Sequence, residues 1–242
     1  MGKTTNVESF ELKPGRKIAR KYEVVEQLGK GWEGEVYKIV ELSTGIERAA
    51  KLFYPQRNIK NRTASRYAKK LHQLRHCPIV IQYHTEEQFI FRRIPITVLI
   101  SEYVEGKILS EFIKEQPGKR LSPFQALHFL YALANGLEQI HHLNEYHGDL
   151  HEDNIIIARY GLGFDLKLLD MYHWPDSKQQ NMRSDKIDAI KIFYYVLGGQ
   201  KHYAKQPRAI KDICCGQKHT LINRKFRSIA DIRDHLEQLN WE

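Results

Sequence analysis

His147-Gly148-Asp149-Leu150-His151-Glu152-Asp153-Asn154 runs straight into Ile155-Ile156-Ile157, and downstream the apolar run Leu166-Lys167-Leu168-Leu169 ends in Asp170. A carboxylate at Asp149 can accept the proton of a substrate hydroxyl. Asn154, shortly after it, supplies a hard amide oxygen suited to Mg2+, and Asp170, closing an apolar strand, supplies a second oxygen ligand. Magnesium keeps several of its waters and takes only one or two protein carboxylates beside phosphate oxygens, so this sparse set is sufficient. The competing reading is a pair of acidic turns with histidines stacked by chance. What stands upstream weighs against it.

Upstream, Gly29, Gly31, Gly34 and Val36 spell G-x-G-x-x-G-x-V. Missing side chains let backbone N–H groups come close to phosphate oxygens. Alone, the pattern also suits a glycine-rich hairpin. Here the glycines join two strand-like runs instead of a strand and a helix, which favours a loop over nucleoside triphosphate over a dinucleotide-binding turn. Lys51, in Ala49-Ala50-Lys51, falls on the next strand-like run. A long ammonium there reaches back beneath the loop to the phosphates; the alternative is an ordinary surface lysine.

The chain has 242 residues, 42% of them hydrophobic, enough for one large domain or two closely joined lobes. No stretch approaches the roughly 18 apolar residues of a membrane span, and the first residues lack a signal peptide's apolar centre. A cytoplasmic protein without a membrane span is the expectation. Cys77, Cys214 and Cys215 are too few and too badly placed for a disulfide framework. The formal charge of +9 suits an anionic partner or plain solubility.

Residues before Tyr22 read as a polar lead-in. From Tyr22 to Phe53 the pattern predicts three antiparallel strands with a turn at Ser43 to Gly45, then a helix over Asn58 to His76. Two more strand-like runs follow, Gln82 to Phe91 and Ile96 to Val104. Beyond Gly106 the pattern turns helical, with a long helix from Ser122 to Leu143 opened by Ser122-Pro123, and further helices from Ser184 and from Ser228. Five strands followed by helices make an α+β architecture.

In order and spacing these motifs resemble the eukaryotic-type protein kinase family over roughly Tyr22 to Leu239, in a compact and divergent form similar to bacterial serine/threonine kinases. The stretch Tyr22 to Val40 resembles the glycine-rich loop and its strands, Ala49 to Phe53 the strand with the phosphate-binding lysine, Ile100 to Gly106 the hinge, and Arg224 to Leu236 the last kinase helix. The resemblance implies a bilobal fold: residues 1–21 as lead-in, 22–104 as a small five-stranded antiparallel N-lobe with one helix and the hinge, and 105–242 as a mainly helical, shortened C-lobe. It implies ATP and Mg2+ as cofactors. Asp149 and Lys51 would be catalytic, with Asn154 and Asp170 on the metal. Glu102 and Val104 would present backbone groups to adenine behind a small gatekeeper, Ser101, while Val36, Ala49 and Ile156 would sandwich the ring; core packing is the alternative for each. Asp185 matches an aspartate that begins the central C-lobe helix and anchors the catalytic loop.

The sequence also departs from the family. Tyr67 stands where a glutamate should pair with Lys51, and no acid occurs between Glu47 and Glu86. Lys51 is therefore expected to be positioned by phosphate alone or by Glu86 or Glu87, with slower chemistry. Gly148 replaces the arginine that clamps a phosphate on the activation segment, so that switch is not expected. Met171 and Tyr172 replace the usual Phe and Gly, the Ala-Pro-Glu ending is absent, and the peptide-docking platform is expected to be missing or rebuilt. His151 replaces a lysine, and the wording from His147 to His151 resembles aminoglycoside and choline kinases.

Three functions stand open: a kinase acting on protein Ser or Thr hydroxyls, favoured by the length and pattern from hinge to catalytic loop; a small-molecule kinase; and a pseudokinase interaction module. The basic run 57–75, with Arg57, Lys60, Arg62, Arg66, Lys69, Lys70 and Arg75, offers a dock for an acidic partner or protein substrate, with solvated charge as the bland alternative. Nucleic acid is disfavoured, because no aromatics interleave for base stacking.

Overall fold

The computed structural model describes residues 6–161 and 163–239. They divide into two units, one of residues up to 76 with 81–104, the other of 77–80 with the chain from 105 on.

The first unit holds β1 (Lys17–Ile18), β2 (Tyr22–Lys30), β3 (Gly34–Glu41), β4 (Glu47–Phe53), α1 (Arg62–Gln73), β5 (Tyr83–Phe91) and β6 (Ile94–Glu102). The strands form one antiparallel sheet in the order β1-β2-β3-β4-β6-β5. It has one strand more than expected, because Lys17 and Ile18 pair with Glu23 and Tyr22. The lead-in is also less polar than its composition suggested. Strand alternation turns Val24, Tyr37, Ile39, Ala50, Leu52, Val98 and Ile100 to one apolar cluster, and Val7, Phe10 and Ile18 join it. Phe10 stacks on Tyr54 and meets Phe91 edge-on, both at 5.3 Å between ring centroids.

That cover buries a carboxylate. Glu35 accepts from Ser9 Oγ at 2.8 Å, from the Phe10 N–H at 3.1 Å, from the Tyr54 hydroxyl at 2.9 Å, and from the Tyr37 hydroxyl. Burial pushes the Glu35 carboxyl up, but these donors outweigh it and hold it below the ordinary value of 4.5. A carboxyl depressed in the folded state contributes stability above its unfolded pKa and loses it as pH falls through the folded one. The midpoint of urea unfolding is therefore expected to drop on acidification below about 4.5, and more steeply in the native chain than in Glu35→Gln. Parallel pH profiles would refute this.

Helix α1 is shorter than the predicted Asn58 to His76, because Lys60 (φ 54°) and Asn61 (φ 58°) stand in left-handed backbone ahead of it. Its buried side, Ala64, Tyr67, Lys70 and Leu71, recurs at helical spacing.

The second unit holds β7 (Lys107–Ile108), α2 (Leu109–Glu115), α3 (Pro123–His142), β8 (Ile155–Tyr160), β9 (Gly163–Leu168), α4 (Lys178–Val196), α5 (Gln200–Tyr203), α6 (Arg208–Cys214), α7 (His219–Lys225) and α8 (Ile229–Glu237). Strands β7, β8 and β9 form a small antiparallel sheet in that order. Helix α3 is the centre of the helical body, packed by α4, α8 and β9. Ser122 with Gln125, and Ser177 with Gln180, close reciprocal capping boxes at the starts of α3 and α4. The second box explains why α4 begins at Lys178 and not at Ser184. Buried Lys186 on α4 donates to the Phe226 carbonyl at 2.7 Å, just past the end of α7, and burial pushes its pKa down. Among the described residues no helix is long and apolar enough to cross a membrane.

Candidate active site

In the first unit, Val36 lies opposite Lys51, and Ala49 lies opposite both Lys38 and Ser101. Residues directly opposite share a face, as do those two apart on a strand, so Val36, Ala49, Lys51 and Ser101 all lie on one face of the sheet. It is the face turned away from the apolar cluster of Tyr37, Ala50 and Leu52. The glycines have different reasons to be small. A Cβ on Gly34 would sit 1.9 Å from the Leu52 carbonyl oxygen, so strand packing demands glycine there. Gly29 and Gly31 meet nothing within 4 Å, so the chain's own packing does not explain them. Open backbone at that turn suits the close approach of a ligand.

Lys51 Nζ lies 3.0 Å from Glu33 Oε2, with the two side chains 12% and 21% exposed. The ammonium also lies 4.7 Å from the centroid of the Tyr67 ring. Where the family places a carboxylate, this chain offers an aromatic face, and a carboxylate comes from the glycine-rich loop. The expectation that Glu86 or Glu87 would take this role is not met. Glu86 accepts from Asn61 Nδ2 at 2.9 Å, and Glu87 pairs with Lys21 at 2.6 Å. Sequence reasoning misses Glu33, whose one local signal is an acid inside the tight β2–β3 turn; in the structure that turn is also tied to the end of β4, through the Tyr54 N–H to the Glu33 carbonyl at 2.9 Å. A triphosphate would have to share Lys51 with this carboxylate. Glu33→Gln is therefore expected to lower the ATP dissociation constant roughly 3- to 10-fold, up to about 1.4 kcal/mol, in a calorimetric titration. An unchanged or weaker affinity would refute the competition.

At the end of β6, Glu102 donates its N–H to the Gln82 carbonyl at 2.9 Å and accepts from the Gln82 N–H through Oε1 at 3.0 Å. Its backbone N–H is thus committed to the sheet edge, and its carbonyl accepts from the Ser101 hydroxyl at 3.4 Å. Val104 lies just past the strand.

In the second unit the loop from His147 to Asn154 is fixed by a buried carboxylate. Asp185, its side chain 1% exposed, accepts from the His147 N–H at 2.7 Å and the Gly148 N–H at 2.9 Å, and lies 3.1 Å from His141 Nε2. Contrary to the expectation that it begins this helix, it sits well inside α4, which starts at Lys178. The Asp149 N–H donates to His147 Nδ1 at 3.2 Å, which leaves Nε2 to donate to the Leu169 carbonyl at 2.7 Å. Asn154 Nδ2 donates to the Asp149 carbonyl at 2.8 Å and to Asp149 Oδ2 at 3.3 Å. With its nitrogen spent there, the Asn154 amide oxygen is the group left for a cation. The Leu169 N–H in turn donates to the Asn154 carbonyl at 2.9 Å, which ties the approach to Asp170 to the same loop.

The Asp149 side chain is 51% exposed, with His151 Nε2 3.8 Å from Oδ2. Asp170 stands at φ +48°, a left-handed backbone that aspartate tolerates better than most side chains. Ile156 lies opposite Ile108 and Lys167, half-buried, while alternation buries Ile155 and Ile157 on the other face. Among the described residues no cluster of three His, Cys, Asp or Glu could hold a metal by itself. An amide oxygen and a carboxylate fit a hard cation that takes most of its ligands from water and phosphate.

The protein kinase domain family matches residues 22–190. A probable serine/threonine-protein kinase of Streptomyces coelicolor is 28% identical over 149 residues, 60% of this chain and 22% of its own length. Human cyclin-dependent kinase 15 is 32% identical over 233 residues, 93% of this chain and 50% of its own length. The chain thus spans about a fifth to a half of the curated relatives it matches. Among solved structures, the kinase domain of Mycobacterium tuberculosis PknI superposes with a TM-score of 0.64 at 16% identity, covering 94% of this chain and 99% of that one. A double mutant of the same domain gives 0.67. With its antiparallel sheet, its helical body and the matched length, the chain belongs to the protein kinase domain family and has the kinase fold.

Proposed function

We propose that this chain is an ATP- and Mg2+-dependent phosphotransferase that moves the γ-phosphate to a serine or threonine hydroxyl of a protein. The observation that carries the reading is the catalytic loop: Asp185 fixes its backbone, Asn154 turns its amide nitrogen to Asp149, and the Asp149 carboxylate stays half open to an acceptor. In this reading Lys51 and the backbone of Gly29, Gly31 and Gly34 hold phosphates, and Val36, Ala49 and Ile156 contact adenine. Backbone groups of Glu102 and Val104 bind its edge, and Asn154 and Asp170 hold magnesium. Magnesium, when bound, neutralises charge on the phosphate oxygens. The acceptor oxygen bonds the γ-phosphorus as the β–γ bridge bond breaks, ADP departs, and the hydroxyl proton passes to Asp149.

The test is label transfer from γ-labelled ATP with the purified chain and Mg2+, offered a mixture of proteins or a set of aminoglycosides and choline. Label on protein serine or threonine supports the proposal. Label confined to the small molecules would overturn it in favour of the reading that the His147 to His151 wording suggests. No label in any fraction, with nucleotide still bound, would leave an interaction module.

A further inference from the structure

The short segment after Asp170 carries none of the proposed reacting groups, yet it is bonded to the loop that does. Trp174 Nε1 donates to the Gly148 carbonyl at 2.5 Å. The Tyr146 hydroxyl accepts from the Trp174 N–H at 3.1 Å and donates to the Trp174 carbonyl at 3.2 Å. The Tyr172 N–H donates to the His147 carbonyl at 2.9 Å, and the Tyr172 ring packs on the Trp174 indole with centroids 4.8 Å apart. All of these bonds land on Tyr146, His147 and Gly148, the residues immediately before Asp149. From the other side, Asp185 grips the His147 and Gly148 N–H groups. The backbone leading to the proposed base is therefore held on its N–H side by α4 and on its C=O side by the strap.

Gly148 is what lets the strap close. Its φ is +86°, and a Cβ there would lie 2.8 Å from the Tyr172 carbonyl oxygen and 2.9 Å from the Tyr146 ring. Any larger residue, an arginine included, would both strain the backbone and push the strap away. The glycine and the indole thus belong to one arrangement.

We propose that Trp174 is a positioning residue for Asp149: its indole N–H, seated on the Gly148 carbonyl, latches the catalytic loop in place with no phosphate on the segment. The part played by Asp149 rests on the kinase reading above; the latch does not. Holding by a neutral donor requires no modification, so the loop is ordered in the chain as synthesised. A latch of this kind fixes where the base stands and leaves nucleotide binding to other residues.

The experiment compares the native chain with Trp174→Phe, which keeps a ring against Tyr172 and removes the donor, by hydrogen–deuterium exchange and by steady-state kinetics. The expected result is about tenfold faster exchange of amides in the 146–154 loop, since one bond to the loop backbone is lost, with α3 and α4 protection unchanged. Turnover falls about tenfold while nucleotide affinity holds, and prior incubation with ATP does not raise the native rate. Unchanged exchange in the loop would overturn the proposal, as would loosening spread equally over α3 and α4, which marks a merely structural tryptophan. A native rate that climbs with phosphate incorporated between Met171 and Ser184 would also overturn it. If the native chain transfers no phosphate, the kinase reading fails alone and the exchange arm still decides the latch. Should Trp174→Phe not fold, Tyr146→Phe removes the hydroxyl that holds the Trp174 backbone and is read by the same exchange.

Discussion

Asp149→Asn is expected to lower phosphoryl transfer by about 10³-fold while leaving nucleotide binding and thermal unfolding where they are in the native chain. The side chain is 51% exposed, so no buried charge is created or orphaned by the exchange. An asparagine oxygen can still accept from Asn154 Nδ2, which donates chiefly to the Asp149 carbonyl in any case. The loop backbone is held by Asp185 and does not depend on the carboxylate at 149. What disappears is a group able to take a proton, because an amide does not accept one near neutral pH. A rate within threefold of native would show that Asp149 does not take the proton. A loss of folding stability that matches the loss of rate in free energy would show that its role is structural.

Asp185→Ala is expected to do the opposite, acting on stability and rate together. The native carboxylate is almost wholly buried and accepts two backbone N–H bonds with His141 Nε2 beside it. Alanine leaves those N–H groups without a partner in a place water does not reach. At about 1–3 kcal/mol for each orphaned donor, the loss is about 3 kcal/mol or more. For a chain of this size that is roughly a 6–12 °C drop in melting temperature. The loop that carries Asp149 loses its grip on α4, so turnover should fall by about 10²-fold or more even at temperatures where the variant is folded. Asp185→Asn keeps one acceptor but turns an N–H₂ toward the backbone N–H groups, so it is expected to lie between alanine and the native chain. A melting temperature unchanged in Asp185→Ala would mean that the loop holds itself.

Much of the molecule is legible in short stretches of sequence. Strand alternation marks β3 and β4, and with it the shared face of Val36, Ala49 and Lys51. The serine before Pro123 caps α3 and the serine before Ile229 caps α8. Asp149 and Asn154 stand close enough in the chain that their bond follows from one tight turn. Each of these rests on neighbours within a few positions, where backbone geometry leaves little choice. The errors lie where the choice was open. The sequence pattern starts this helix at Ser184, whereas the reciprocal bond between Ser177 and Gln180 sets its cap well before that. The lead-in read as polar because Val7, Phe10 and Ile18 are spread among charged residues, with no period to join them.

The sequence by itself determined the family and most of the strands and helices, and it named the carboxylates and amide to which the chemistry is assigned as a proposal. Only the tertiary structure decided which partners those groups have. It chose Glu33 over Glu86 and Glu87 for Lys51, buried Glu35 beneath the lead-in, and seated Trp174 on Gly148. The reason is that a local motif is set by φ, ψ and side-chain spacing along a few residues. A bond between distant residues depends instead on sheet register, on where a turn tips its side chains, and on which competing acid or donor reaches first.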